Sequence, residues 1–245
     1  MTQHGKNYRN ARAAYDREEL YAPAQAIRLI KSFETAKFDE SVEAHFHLGL
    51  NVRHAEQQLR GTLMLPHGTG REARVAVFAE GDKANEAQDA GADVVGTADL
   101  GKQIEEGFDD FDVAIATPDQ MSVVGKLGRI LGPRGKMPNP KTGTVTMDVG
   151  KAVREAKAGK LEYRTDRGAN VHVTIGKKSF DERQLAENYA ALIDEIMRAK
   201  PAAAKGRYIH SVTLTTTMGP GIRIDPGRTK GIVDDLEVEA EAVSA

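Results

Sequence analysis

The 245-residue sequence predicts an α+β domain of the split βαβ (ferredoxin-like) kind, interrupted by an inserted α/β three-layer, Rossmann-like domain. Three observations carry this expectation. Up to residue 69, and again from residue 160, strand-like alternation is mixed with long helical patterns. In between, short apolar runs alternate with short helical ones, the grammar of a parallel sheet covered on both faces. Glycines mark both junctions, Gly68 and Gly70 at the first and Gly159 at the second, so each could serve as a hinge. The expected boundaries are residues 1–69 with 160–231 for a discontinuous domain and 70–159 for the insert, followed by an acidic, disordered tail, 232–245.

Element by element, residues 10–19 are polar and could start as a helix. Tyr21 to Phe33 is a clearer helix: Pro23 suits a first turn, and Ala26, Ile27, Ile30 and Phe33 share one face. From Lys37 to Leu50 the period changes to two. Val42, Ala44, Phe46, Leu48 and Leu50 alternate with Ser41, Glu43, His45, His47 and Gly49, as in a half-buried strand with a polar outer face. Gly61–Leu65 reads as another strand, ended by the break Pro66-His67-Gly68-Thr69-Gly70. The insert then reads strand Arg74–Phe78, helix Asp82–Ala90, strand Asp93–Val95, helix Asp99–Glu106, strand Val113–Ala116 and helix Val149–Ala158. Beyond it, Leu161–Arg164 and Val171–Ile175 are strands and Asp181–Ala199 is a long amphipathic helix that stops before Pro201. Tyr208–Met218 and Ile222–Ile224 close the sheet.

Composition narrows the function. There is no Cys, which excludes disulfides, thiolate metal sites and cysteine nucleophiles. The start of the chain is polar and basic, unlike a secretory signal, and no run is long and apolar enough for a bilayer, so a cytoplasmic protein without a membrane partner is expected. The net charge of −2 hides segregation: +1 before residue 71, +4 over residues 161–231, and five acids with no base after that. Within the insert, residues 80–119 carry 12 acidic and 2 basic side chains, and residues 120–160 carry 2 and 9. Charge localised in this way steers ligands although the total is near zero.

Gly128 to Pro140, GRILGPRGKMPNP, reads as an extended, rigid, basic surface loop. It is not a Walker phosphate loop, because Met137 follows Gly135-Lys136 and position 130 is not Gly. Its Arg129, Arg134 and Lys136, with Lys141 just beyond, could touch RNA backbone. On the strand Tyr208–Met218, Ser211, Thr213, Thr215 and Thr217 fall on one face, a ladder of hydroxyls suited to RNA 2′-hydroxyls. Gly219 then lets another backbone come close. Phe38 could stack on a nucleotide or pack in the core, and read alone the core is favoured. Lys177, Lys178 and Ser179 precede a helix and are open to two readings, a phosphate contact or a solvated turn. The seven His have no Cys or HExxH partner, so no metal site, no cofactor and no catalytic constellation is expected.

Met121 to Asn139, MSVVGKLGRILGPRGKMPN, resembles the signature of the universal ribosomal protein L1 family, bacterial type. LPHGTG (Leu65–Gly70), ATPDQM (Ala116–Met121) and TTTMGPG (Thr215–Gly221) agree with the same family in order and spacing, so the resemblance covers residues 8–228. It implies a non-catalytic constituent of the large ribosomal subunit that binds 23S rRNA directly and forms the mobile stalk. It also implies a part in releasing exit-site tRNA, and repression of translation through the messenger RNA of its own operon, with the free protein a monomer. Thr217, Met218 and Gly219 are implied as the recognition core, with Thr215 and Ser211 nearby and Lys37, Phe38, Ser41 and Glu43 at the RNA surface.

Overall fold

The structure is a computed structural model that describes residues 5–228 and residue 232. The expectation for the acidic tail beyond residue 232 lies outside the described residues. Before the insert the elements are α1 (Lys6–Ala13), α2 (Pro23–Ser32), β1 (Ser41–Leu48) and β2 (Arg60–Met64). The insert region holds β3 (Val75–Phe78), α3 (Asp82–Asp89), β4 (Val94–Gly96), α4 (Ala98–Glu105), β5 (Val113–Ala116), α5 (Met121–Lys126), α6 (Gly128–Leu131) and α7 (Val149–Lys157). After it come β6 (Lys160–Arg164), β7 (Asn170–Lys177), α8 (Glu182–Arg198), β8 (Ile209–Thr216) and β9 (Ile222–Ile224). By contacts, one compact unit takes the chain up to Gly70 and again from Tyr163, and the other is Arg71–Glu162.

In the first unit the strand order is β7-β1-β8-β9. Both β7 and β8 run antiparallel to β1, which lies between them, so they are parallel to each other and joined by α8. That is a split βαβ. The element order departs from the βαββαβ of a ferredoxin-like domain, because α2 precedes β1 and β9 adds outside β8. Alternation along β1 places Val42, Ala44, Phe46 and Leu48 in the core. Helix α8 starts where the Asp181 backbone N–H donates to Gln184 Oε1 at 3.0 Å, and it buries Leu185, Tyr189, Leu192, Ile193 and Ile196. Tyr189 stacks on Phe46, with ring centroids 6.3 Å apart. With α2 and α8 packed on one face, the other face is left open. It presents the polar half of each strand: Ser41, Glu43, His45 and His47, then His172 and Thr174, then Ser211, Thr213 and Thr215.

The second unit is a parallel sheet, order β4-β3-β5, with a core on each side. One core takes Val75, Val77 and Ile115 with Val149, Val153 and Ala156 of α7. The other takes Phe78 and Ala116 with Leu100 and Ile104 of α4 and Val124, Leu127 and Leu131. Helices thus pack on both faces of this sheet. The basic segment Gly128–Pro140 differs from the expected extended loop at its start, because Gly128–Leu131 is helical and follows directly on the helix Met121–Lys126. Val124, Leu127 and Leu131 are buried at i, i+3 and i+7, and that burial outweighs the local density of Gly and Pro.

Candidate nucleic-acid interface

Antiparallel pairing brings the start of β1 beside the ends of β7 and β8. Ser41 is in register with Lys177, and Val42 with Thr216. One step beyond, the Thr217 backbone N–H donates to Ser41 O at 3.1 Å, and the Ser41 N–H donates to Thr217 Oγ1 at 3.1 Å. Since that hydroxyl oxygen accepts from Ser41, its own O–H remains to donate outward. Lys177 Nζ donates to Ser41 Oγ at 2.9 Å, so its ammonium sits at the edge of the same group.

Glu40 organises this end of the sheet from inside. Its residue is 1% exposed. The Met218 backbone N–H donates to Glu40 Oε1 at 2.8 Å, and the Thr35 hydroxyl donates to Oε2. Lys178 is bound to the same residue twice, through its backbone N–H to Glu40 O at 2.8 Å and through Nζ, 3.9 Å from Oε2. Lys178 Nζ also donates to Phe33 O. Beside it, the Ser179 N–H and hydroxyl both donate to Asp39, at 3.1 and 2.8 Å. Lys178 and Ser179 therefore spend their polar atoms on the protein; of the expected basic pair, Lys177 is the one at the surface group.

The turn after β8 is equally determined. Thr215 Oγ1 lies 3.2 Å from Gly219 O and 3.0 Å from Thr216 O, and the Gly219 N–H donates to Thr216 O at 3.2 Å. A Cβ on Gly219 would lie 2.3 Å from Thr216 Oγ1, so glycine is required there for space. Among the described residues the buried Thr216 hydroxyl has no hydrogen-bond partner. Met218 and Phe38 are each 56% exposed on the two loops that Glu40 ties together. The expectation that Phe38 packs in the core is thus corrected: it lies on the solvent side of the loop before β1. Lys37 is exposed next to it. Glu43 faces the open side, paired across the sheet with Thr215 and Thr174, its carboxylate 3.7 Å from His45 Nε2.

A model of the ribosomal protein L1p/L10e family matches residues 30–220 of this chain. The chain belongs to that family. Family membership makes it a ribosomal protein and not an enzyme. It is 61% identical over 223 residues to the large ribosomal subunit protein uL1 of Rubrobacter xylanophilus, covering 91% of this chain and 97% of that protein. It is 60% identical over 225 residues to the uL1 of Thermobifida fusca (92% and 96% covered) and 60% over 230 residues to that of Salinispora tropica (94% and 97%).

In this L1-family chain not every expected site residue joins the group around Thr217. Ser211 pairs with His47 at the other end of β8, about 20 Å away at the usual rise per strand residue. Arg129, Arg134, Lys136 and Lys141 belong to the second unit. Lys136 donates to Asp109 Oδ1 at 2.7 Å and to the Asp109 and Phe111 carbonyls, and its Nζ sits 4.8 Å from the Phe111 ring centroid. Its ammonium is consumed in folding. Arg134 pairs with Asp109 at 3.1 Å, whereas Arg129 and Lys141 are exposed. Gly68, Gly70 and Gly159 all have φ in the left-handed region, at 63°, 71° and 95°. Gly68 is tethered, however: the buried Asn188 accepts from His67 N and donates to Gly68 O and Ile175 O. His67 also bonds Glu187, which, with Arg183, holds that carboxyl below the usual range.

Sequence reading missed Glu40, Thr35, Asp39 and Asn188. Glu40 carried a signal, since it has the parity of Val42, Ala44 and Phe46 and so falls on the core side of β1 extended back by one step. Among the described residues no cluster of three or more His, Asp or Glu could hold a metal, and no helix is long and apolar enough to cross a membrane.

Proposed function

We propose that this chain is a structural component of the large ribosomal subunit that binds 23S rRNA through the open face of its four-stranded sheet, acting in the cytoplasm. The relatives' names, large ribosomal subunit protein uL1, support the subunit. One observation carries the RNA assignment: the buried Glu40 network holds Thr217, Met218 and Gly219 beside Phe38 and Lys177 at one sheet end. An outward hydroxyl, a close-approach glycine and exposed apolar side chains suit the 2′-hydroxyls and base faces of a folded RNA. In this reading the second unit moves with the mobile stalk on Gly70 and Gly159, Gly68 being tethered, and the exposed Arg129 and Lys141 face exit-site tRNA. The same Thr217 group would bind a similar fold in the messenger RNA of its own operon and repress translation. A hydroxyl-radical footprint of the purified protein on deproteinised 23S rRNA tests the reading. One compact protected segment, lost from Phe38→Ala protein, is expected; protection that is absent or unchanged in that variant would refute it.

A further inference from the structure

The same sheet carries a second basic site at its other end. Where β1 runs out, the loop after Leu48, the turn before β7 and the approach to β8 border an open concavity of about 730 Å³. Arg53, Arg167 and Lys205 line it together with His47 and His210, and its lining contains no Asp or Glu. Among the described residues no carboxylate pairs with any of the three cations. Asp166, the acid beside Arg167 in the chain, is committed elsewhere. It accepts from the backbone N–H groups of Gly168 and Asn170 at 2.8 and 2.7 Å, and from the Asn170 side chain at 3.0 Å.

The cavity is built. A Cβ on Gly49 would lie 2.3 Å from the Arg207 carbonyl oxygen and 2.8 Å from His210 Nε2, so the floor depends on two backbones in close approach. The Gly49 N–H fixes that approach by donating to Tyr208 O at 2.7 Å. The Arg53 loop is closed on itself, with Asn51 N donating to Gln57 Oε1 at 2.8 Å and Gln58 Nε2 to Val52 O at 2.9 Å. Three loops thus bring cations to the wall of one concavity, and among the described residues no carboxylate neutralises them. Like charges gathered this way repel, and a concave wall concentrates their field on an incoming anion. The planar guanidinium forks of two Arg suit phosphate oxygens.

We propose that this cavity is a second RNA contact, holding backbone phosphodiesters of the same RNA molecule that the Thr217 end recognises. This rests on the RNA-binding reading above. The two ends are joined by the open polar face, along which Ser211 and His47 lie at the cavity end. At about 730 Å³ the space is wider than one phosphate needs, which favours a stretch of backbone over a lone ion.

The test is the salt dependence of binding of the full-length chain to deproteinised 23S rRNA. Each phosphate contact contributes roughly 0.7–0.9 to the slope of log affinity against log salt. Arg53→Gln/Arg167→Gln/Lys205→Gln should lower the slope by about 2 to 3 with a thermal midpoint that is not lowered. The control pair Arg183→Gln/Arg198→Gln, on the helix covering the opposite face, should leave it unchanged. Thr217→Val should weaken binding at constant slope. If the triple variant keeps the wild-type slope while Thr217→Val still weakens binding, the cavity proposal is overturned and the Thr217 interface stands. If the wild type does not bind this RNA above background, both fall. Inorganic phosphate alone, followed by the His47 and His210 ring resonances, separates the remaining case: saturation below millimolar with an unchanged triple-variant slope marks a small-anion site and overturns the RNA assignment.

Discussion

Glu40 is the residue whose replacement should loosen the recognition turn without removing any side chain proposed to contact RNA. Its carboxylate accepts from Met218 N and the Thr35 hydroxyl and faces Lys178 Nζ, all at a position 1% exposed. Hydrogen bonds to a charged group contribute about 1.5–3 kcal/mol net each, and every tenfold step in an equilibrium is about 1.4 kcal/mol. In Glu40→Ala the Met218 amide loses its acceptor, so its local opening should become about ten- to a hundredfold more frequent. Native-state hydrogen exchange at the Met218 amide reads this directly. It is a better probe than global unfolding, because a chain of two compact units need not unfold in one step. The loss of two or more bonds to one buried charge should also destabilise the first unit by about 3–5 kcal/mol. Glu40→Gln keeps one acceptor oxygen for Met218 N while removing the charge that faces Lys178, and should sit between wild type and Glu40→Ala in both measurements. Unchanged exchange at Met218 in Glu40→Ala would refute the reasoning, since it would mean that other contacts hold the turn. So would equal effects of the two substitutions on that amide.

Thr217→Val removes an acceptor used by the Ser41 N–H as well as an outward donor, so it should lower stability by about 0.5–1.5 kcal/mol in addition to weakening RNA binding by about 1–3 kcal/mol; urea titration with filter binding separates the two. Gly219→Ala should lower both stability and RNA affinity because its methyl meets Thr216 Oγ1, and Thr216→Ala placed beside it should restore much of the loss by opening that space, which paired thermal melts and binding curves would show. His45 is held below its ordinary 6.5, first by burial and then by the His172 ring, with Glu43 partly offsetting them. Because the unfolded chain binds this proton more tightly, its contribution to stability is complete above about pH 6.5 and is lost as pH falls below that value. His172→Gln should raise the His45 midpoint in an NMR titration, and a midpoint that does not move would contradict the pairing.

Much of the fold was legible before any coordinate. Period-two alternation in Val42–Leu48 and Val171–Ile175 showed which face of each strand is buried, because side chains alternate strictly across a strand. The short apolar runs at Val75–Phe78 and Val113–Ala116, too uniform for a one-faced strand, announced a sheet covered on both sides. The basic Gly- and Pro-rich segment was harder. Its helical turns are held by Val124, Leu127 and Leu131 packing on Leu100 and Ile104, which local propensity does not register.

The hydroxyl face of β8 and the turn Thr217-Met218-Gly219 follow from the sequence by itself, since neighbours along a strand are neighbours in space at known spacing. Which charged groups remain free for a partner was decided only by the tertiary structure. Lys178 and Lys136 look like Lys177 and Lys141 in the sequence, yet the first two are spent on Glu40, Phe33, Asp109 and Phe111. The bond that sets the recognition turn joins residues 178 positions apart, Glu40 to Met218. The basic cavity gathers Arg53, Arg167 and Lys205 from three separate loops. A desolvated carboxylate or an unneutralised cluster is defined by what surrounds it in space, and that surrounding is assembled only when the antiparallel strands close the distance.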